Sequence, residues 1–142
     1  MVVAIERTDR LRTYTRIALV ALAAGLGLLI VGVPTVDLHG PLHYFGIMDP
    51  LCGGTRAMYL LGSGDFAGAA RYNPIVFPIA VVIPALALRA VVGWFTGRWL
   101  TFLPSRRVRV GIWIVAAVLL VALEIRQQSH AALLMQGWPL NS

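Results

Sequence analysis

Residues 17–36 run for twenty positions without a charged side chain. No other stretch limits the fold as much. At about 1.5 Å per residue, a helix of that length covers about 30 Å, the hydrocarbon thickness of a bilayer. Pro34, near the far end, is placed to help terminate such a helix. A second run, residues 74–96, is interrupted only by Arg89. It opens on Asn73-Pro74, an N-cap followed by proline at the first helical position, and Pro84 should kink it midway. A third run, 110–123, has fourteen residues. It spans 109–126 if Arg109 and Arg126 snorkel their heads to the two interfaces.

Composition supports the same class. Hydrophobic residues make up 58% of the 142 positions and charged residues 13%, about half of what a soluble domain carries. Mean hydropathy is +0.78. The expected fold is an all-α integral membrane protein, one domain over residues 1–142. It has three transmembrane helices, plus two short interfacial helices between spans one and two.

The net charge of +6 comes from twelve arginines, no lysine and six acidic residues. Arg7, Arg10, Arg12 and Arg16 precede span one, and Arg98, Arg106, Arg107 and Arg109 lie between spans two and three. Eight of the twelve therefore fall in two alternate connections, the pattern of cytoplasmic segments under the positive-inside rule. The N-terminus is expected in the cytoplasm and the C-terminus outside. A nucleic-acid face would need its basic residues on one folded surface, so that reading is set aside. The N-terminal arginines and apolar run also suit a secretory signal peptide. The run exceeds the usual h-region and no small-x-small cleavage site follows it, which favours an uncleaved anchor.

Residues 37–72 form the expected extracytoplasmic segment. Gly40-Pro41 and Asp49-Pro50 break any long helix there. Thr55 to Leu61 reads as a short apolar helix stopped by Gly62, and Asp65 as the cap of a second one reaching Arg71. A segment dipping into the bilayer needs protein around its backbone groups.

The order Asp49-Pro50-Leu51-Cys52-Gly53-Gly54-Thr55-Arg56-Ala57, then Gly64-Asp65, Ala69-Ala70 and Asn73-Pro74, resembles the DUF2752 family of small bacterial membrane proteins. The likeness covers roughly residues 38–95. Cys52, Gly53, Thr55, Arg56, Ala57, Gly64, Asp65, Asn73 and Pro74 match the family signature. Asp49 stands where the signature has its first cysteine, and Leu51 where it has a small residue. The resemblance implies a bacterial inner-membrane protein and supplies no reaction.

Six residues of the segment are candidates for a motif or binding site: Cys52, Gly53, Thr55, Arg56, Asp65 and Asn73. Cys52 is the single cysteine. Arg56 and a helix N-terminus would lower its pKa, whereas Asp49 would raise it; the reading as a small packed residue is preferred. Arg56 and Asp65 are charges expected near membrane depth, where such groups seek partners. They form either a polar site with Thr55 and Asn73 or an architectural link, Arg56 pairing with Asp65 or Asp49. The architectural reading is preferred.

Other features carry blander readings. Glu124, Arg126, Gln127, Gln128 and His130 suit an interfacial collar better than a proton relay. Arg89 reads as a snorkelling anchor, and Trp94, Trp99, Phe102 and Trp138 as interfacial aromatics. Asp37, His39 and His43 lack the helix that would align them on a metal. Gly62-x-Gly64-x-x-Ala67 lacks the strand a dinucleotide fingerprint needs. Ala21/Gly25 and Ala23/Gly27 give small-xxx-small spacing suited to helix packing.

The expectation is thus a small membrane protein without catalytic, metal or cofactor residues. Its partners are the lipid bilayer and a membrane protein or a second copy, not nucleic acid. The alternative is an extracytoplasmic thiol or small-molecule site at Cys52, Arg56 and Asp65. A pore or carrier would need polar residues along the spans, which spans one and three lack.

Overall fold

The computed structural model describes residues 2–33 and 45–136. Their elements are β1 (Val2–Glu6), α1 (Arg12–Val31), α2 (Gly54–Gly62), α3 (Phe66–Tyr72), α4 (Val76–Thr96), β2 (Trp99–Leu103), α5 (Arg106–Ser129) and α6 (Ala131–Leu134). The chain is mostly helical, and α1, α4 and α5 are long and apolar enough to cross a membrane.

The long helices depart from their expected bounds in instructive ways. α1 begins and ends five residues before the span expected at 17–36. Its first turns include Arg12 and Arg16, whose long stems let a charged position belong to an apolar helix. It ends before Gly32, which takes φ +84°; Pro34 lies outside the described residues. α4 starts at Val76 rather than 74 and contains Pro84. α5 exceeds the expected 109–126 at both ends, running from Arg106 to Ser129. After it, α6 forms a separate short turn of helix. Asp37, His39, His43 and Trp138 lie outside the described residues, as does the tail beyond 136.

The chain divides into two compact units, 1–26 with 78–116 and 27–77 with 117–142. In the first, β1 and β2 pair antiparallel from Val2 against Leu103 to Glu6 against Trp99. This two-stranded sheet corrects the all-α expectation. Val, Ile, Trp, Thr and Phe suit strands, but five-residue strands far apart in sequence give no usable periodic signal. Thr101, wholly buried, donates its hydroxyl to Glu6 Oε2 at 3.1 Å.

Beside the sheet lies a polar cluster that also corrects the sequence reading. Arg89 is not a free anchor. Its Nη2 donates to Asp9 Oδ1 at 3.0 Å, with the two side chains only 10% and 12% exposed. Nη1 donates to the Thr15 hydroxyl at 3.1 Å and Nε to the Leu100 carbonyl. The guanidinium carbon sits 5.4 Å from the Trp99 ring centroid, a cation–π distance. Trp99 is therefore buried rather than interfacial, at 8% exposure, and Trp94 meets it edge-on at 6.5 Å. Gly93 makes room for this ring: a Cβ there would lie 2.4 Å from Trp99 Cε3.

Asp9 accepts further bonds from the Leu11 N–H at 2.9 Å and the Thr15 hydroxyl at 2.7 Å. Burial alone would raise its carboxyl, but the Thr15 hydroxyl, Arg89 and the Leu11 N–H outweigh it and hold it below the ordinary 3.8. A depressed carboxyl stabilises the fold above its unfolded pKa, and that contribution disappears as pH falls through the lower folded value. Thermal unfolding in detergent should therefore show stability falling below pH 3.8. Asp9→Asn should flatten that acid response and lower stability by about 3 kcal/mol, because Arg89 keeps its charge without a counter-ion.

Candidate functional site

The motif segment belongs to the second unit, and its two short helices form where expected. α2 begins after Gly53 and ends at Gly62. Asp65 caps α3, its Oδ1 accepting from the Gly68 N–H at 2.8 Å. Such a cap satisfies a backbone donor that the first helical turn leaves open. Small residues set the contact between the two helices: Ala57 and Ala69 are fully covered, with Val76, and Met58, Leu60, Leu61, Tyr72 and Phe77 pack round them. A second cluster joins Met48, Cys52 and Leu134, flanked by Tyr72 and Ala131.

Between these clusters the backbone is held by amides. Asn73 is fully buried. Its Nδ2 donates to the Pro50 and Cys52 carbonyls, both at 3.0 Å, and its Oδ1 accepts from the Ile75 N–H at 3.1 Å. Asn73 thus ends α3 and turns the chain toward α4, which begins only at Val76 instead of directly after an Asn73 N-cap, and the same side chain also closes the Cys52 loop. Gln127, equally buried, donates to the Cys52 carbonyl and to the Tyr72 carbonyl, the latter at 3.0 Å.

Its neighbours act in the same way. Arg126 Nη2 donates to the Ala70 carbonyl at 2.9 Å and to Arg71 at 3.2 Å, and Nη1 donates to Gln127 Oε1 at 2.9 Å. The carbonyls of Ala70, Arg71 and Tyr72 are those a helix leaves unpaired at its C-terminus, and a cation there also suits the helix dipole. Gln128 accepts from the Met48 N–H at 3.0 Å and donates to the Gly46 carbonyl at 2.9 Å. Arg126 is therefore a backbone clamp rather than a snorkelling anchor, and Gln127 and Gln128 are more than a collar.

The six candidate residues separate into two groups. Cys52, Gly53 and Asn73 converge, and Arg56 joins them through shared neighbours. Arg56 Nη1 donates to the Leu134 carbonyl at 3.4 Å, and its guanidinium carbon lies 5.8 Å from the Tyr72 ring centroid. In place of the expected link from Arg56 to Asp65 or Asp49, Asp65 serves its own helix, Asp49 accepts from the Leu51 N–H at 2.8 Å, and Arg56 reaches the C-terminal segment. Thr55 and Asp65 are exposed. Gly53 has φ +75°, and a Cβ there would stand 2.7 Å from Leu134 Cδ2. That backbone conformation and close approach together favour glycine.

Cys52 is 4% exposed, with its Sγ 3.6 Å from Met48 Sδ. Burial pushes its thiol above the ordinary 9.0, the Asp49 carboxylate adds to the rise, and Arg56 and the Gly53 N–H only partly offset it. The thiolate is the reactive form, so this arrangement disfavours a nucleophile near neutral pH. Among the described residues no group of three His, Cys, Asp or Glu could hold a metal. The sequence reading missed Gln127, Gln128 and Met48 as parts of the site. The available signal was Gln127 four positions after Leu123, the two being the buried residues of α5.

Two measurements follow from this geometry. Gln127→Leu should lower stability by about 2 kcal/mol in thermal unfolding, since it removes the buried amide bonds to the Cys52 and Tyr72 carbonyls. Maleimide at pH 8 should label Cys52 slowly in the folded protein and rapidly once it is unfolded; fast labelling of the folded chain would contradict the buried, raised thiol.

The comparisons with known proteins agree with this segment's identity. The family described as "Protein of unknown function (DUF2752)" matches residues 42–88, which contain α2, α3, the Cys52 loop and the first half of α4. No curated protein and no solved structure matches the chain. Over residues 42–88, about a third of the chain, the sequence is similar to the DUF2752 family.

Proposed function

We propose that the chain is a small integral protein of the bacterial cell membrane, acting as a non-catalytic subunit or scaffold that packs against itself or a partner membrane protein. One observation carries this reading: the long helices leave their apolar surface uncovered. In the most apolar stretches of α1, α4 and α5, only 11%, 22% and 0% of residues are buried within the chain. Such a surface is an aggregation liability in water but an ordinary one against lipid or other helices. The glycines of α1 are uncommitted as well, since a Cβ at Gly25 or Gly27 would meet nothing within 4 Å.

The motif supports a scaffold role, because Asn73 and Asp65 are engaged in holding backbone and Gly53 takes the left-handed turn into α2. A segment outside the long helices that lies at membrane depth must have its carbonyls satisfied by protein. The amides of Asn73 and Gln127 do so for Cys52. In the proposed topology the N-terminus is cytoplasmic, α2 and α3 lie at the outer interface, and the C-terminus is extracytoplasmic, following the arginine distribution.

Topology is tested with engineered thiols in a Cys52→Ser background. Ser63→Cys, in the exposed turn after α2, should label with impermeant maleimide on intact cells, and Arg107→Cys only after permeabilisation. The reverse pattern would invert the topology. Affinity purification from native membranes should recover either a stoichiometric membrane partner or a homo-oligomer; a monomer recovered alone would contradict the subunit reading.

A further inference from the structure

The first unit contains a cleft of about 540 Å³ that none of the preceding roles uses. It lies among the start of α1, strand β2 and the start of α5, and its lining includes Arg10, Arg109, Tyr14, Phe102, Leu103 and Ile112. Its size falls within the range of small-molecule sites, about 300–1,000 Å³. We propose that this cleft binds an anionic phospholipid, the phosphate between Arg10 and Arg109 and the upper acyl chain along Phe102 and Ile112.

Two features of the lining select that ligand. The first is charge. Arg10 gives Nη1 to Glu6 Oε1 at 3.3 Å while its side chain remains 61% exposed, leaving donors for a second acceptor. Arg109 is exposed and forms no ion pair with any described acidic residue. An arginine fork matches phosphate oxygens bidentately.

The second feature is the apolar wall. Tyr14 is 60% exposed, Phe102 46% and Ile112 56%, all lining the same cleft as the two arginines. A free anion would leave that wall in water, and an uncharged chain would leave the arginines without a counter-ion. An amphiphile with an anionic head satisfies both. The position fits as well: α1 and α5, both long enough to cross a bilayer, begin at Arg12 and Arg106. Basic pockets where helices reach the cytoplasmic face suit anionic head groups.

This inference rests on the membrane reading above, and the test separates the two. The full-length chain is expressed and its membranes are washed with carbonate. Release of the protein would overturn the membrane reading and this site together. Retained protein is then purified and titrated with phosphatidylglycerol or phosphatidylcholine, with bound lipid counted by native mass spectrometry. One phosphatidylglycerol should bind in preference to phosphatidylcholine, and millimolar inorganic phosphate should not displace it.

The Arg10→Gln/Arg109→Gln double variant should weaken phosphatidylglycerol binding by about 25-fold, at about fivefold per arginine on average. Of the single variants, Arg109→Gln should cost more, because Glu6 already offsets Arg10. Arg7→Gln, at the same end of the chain but outside the cleft lining, should change binding by less than about twofold, since a charge held away from the head group is screened. Equal uptake of the two lipids by the unmodified protein would overturn the site even if the variants failed to fold. So would an Arg7→Gln loss as large as that of the double variant. Displacement by inorganic phosphate would show an anion site without lipid selectivity and would equally refute the proposal.

Discussion

The second unit depends on one requirement: backbone carbonyls without helical partners must find donors inside the protein. The chain leaves helical geometry between Gly46 and Gly53 and again after Tyr72. Each departure strands carbonyls that would cost about 1–3 kcal/mol apiece if buried unpaired. Two neutral amides answer for the most buried of these, Asn73 from within the segment and Gln127 from α5. Neutral amides suit the task because they supply donors without the desolvation penalty of a second charge. Among the described residues, no buried side-chain nitrogen or oxygen lacks a partner.

The first unit meets a different requirement by a different route. Arg89 is a full charge on an otherwise apolar helix, and its burial is tolerable only with a counter-ion and satisfied donors. Asp9 supplies the charge, Thr15 and the Leu100 carbonyl take the other nitrogens, and Trp99 covers one face. The sheet is what brings Leu100 and Trp99 there. A short pair of strands with little core of its own thereby becomes the platform for the ion pair.

These two clusters also mark the limit of what the sequence made legible. Three apolar helices, the stop at Gly62, the cap at Asp65 and the turn at Asn73 all rest on local signals, which lie within a few residues of the structure they specify. The Arg89–Asp9 pair joins positions 80 apart, and the Gln127 bond to Cys52 joins positions 75 apart. A glutamine beside another glutamine at a helix end reads alike whether it is solvated or buried. The strands were missed because five residues of mixed apolar and polar character are compatible with many conformations. Arg56 was expected to pair with Asp65 or Asp49, but each carboxylate accepts from a backbone N–H close by in sequence, Gly68 and Leu51, and Arg56 reaches the Leu134 carbonyl 78 positions away.

Arg126, Gln127 and Gln128 are consecutive on a helix, so their side chains leave the axis about 100° apart. They nevertheless all grip backbone, Arg126 at residues 70 and 71, Gln127 at 52 and 72, Gln128 at 46 and 48. The motif segment is thus tied to the end of α5 by three successive side chains, the heads of Arg126 and Gln127 meeting at 2.9 Å while Gln128 stays exposed. The rest of α5 is uncovered along its apolar stretch, so the chain grips this helix by its end and leaves the shaft bare.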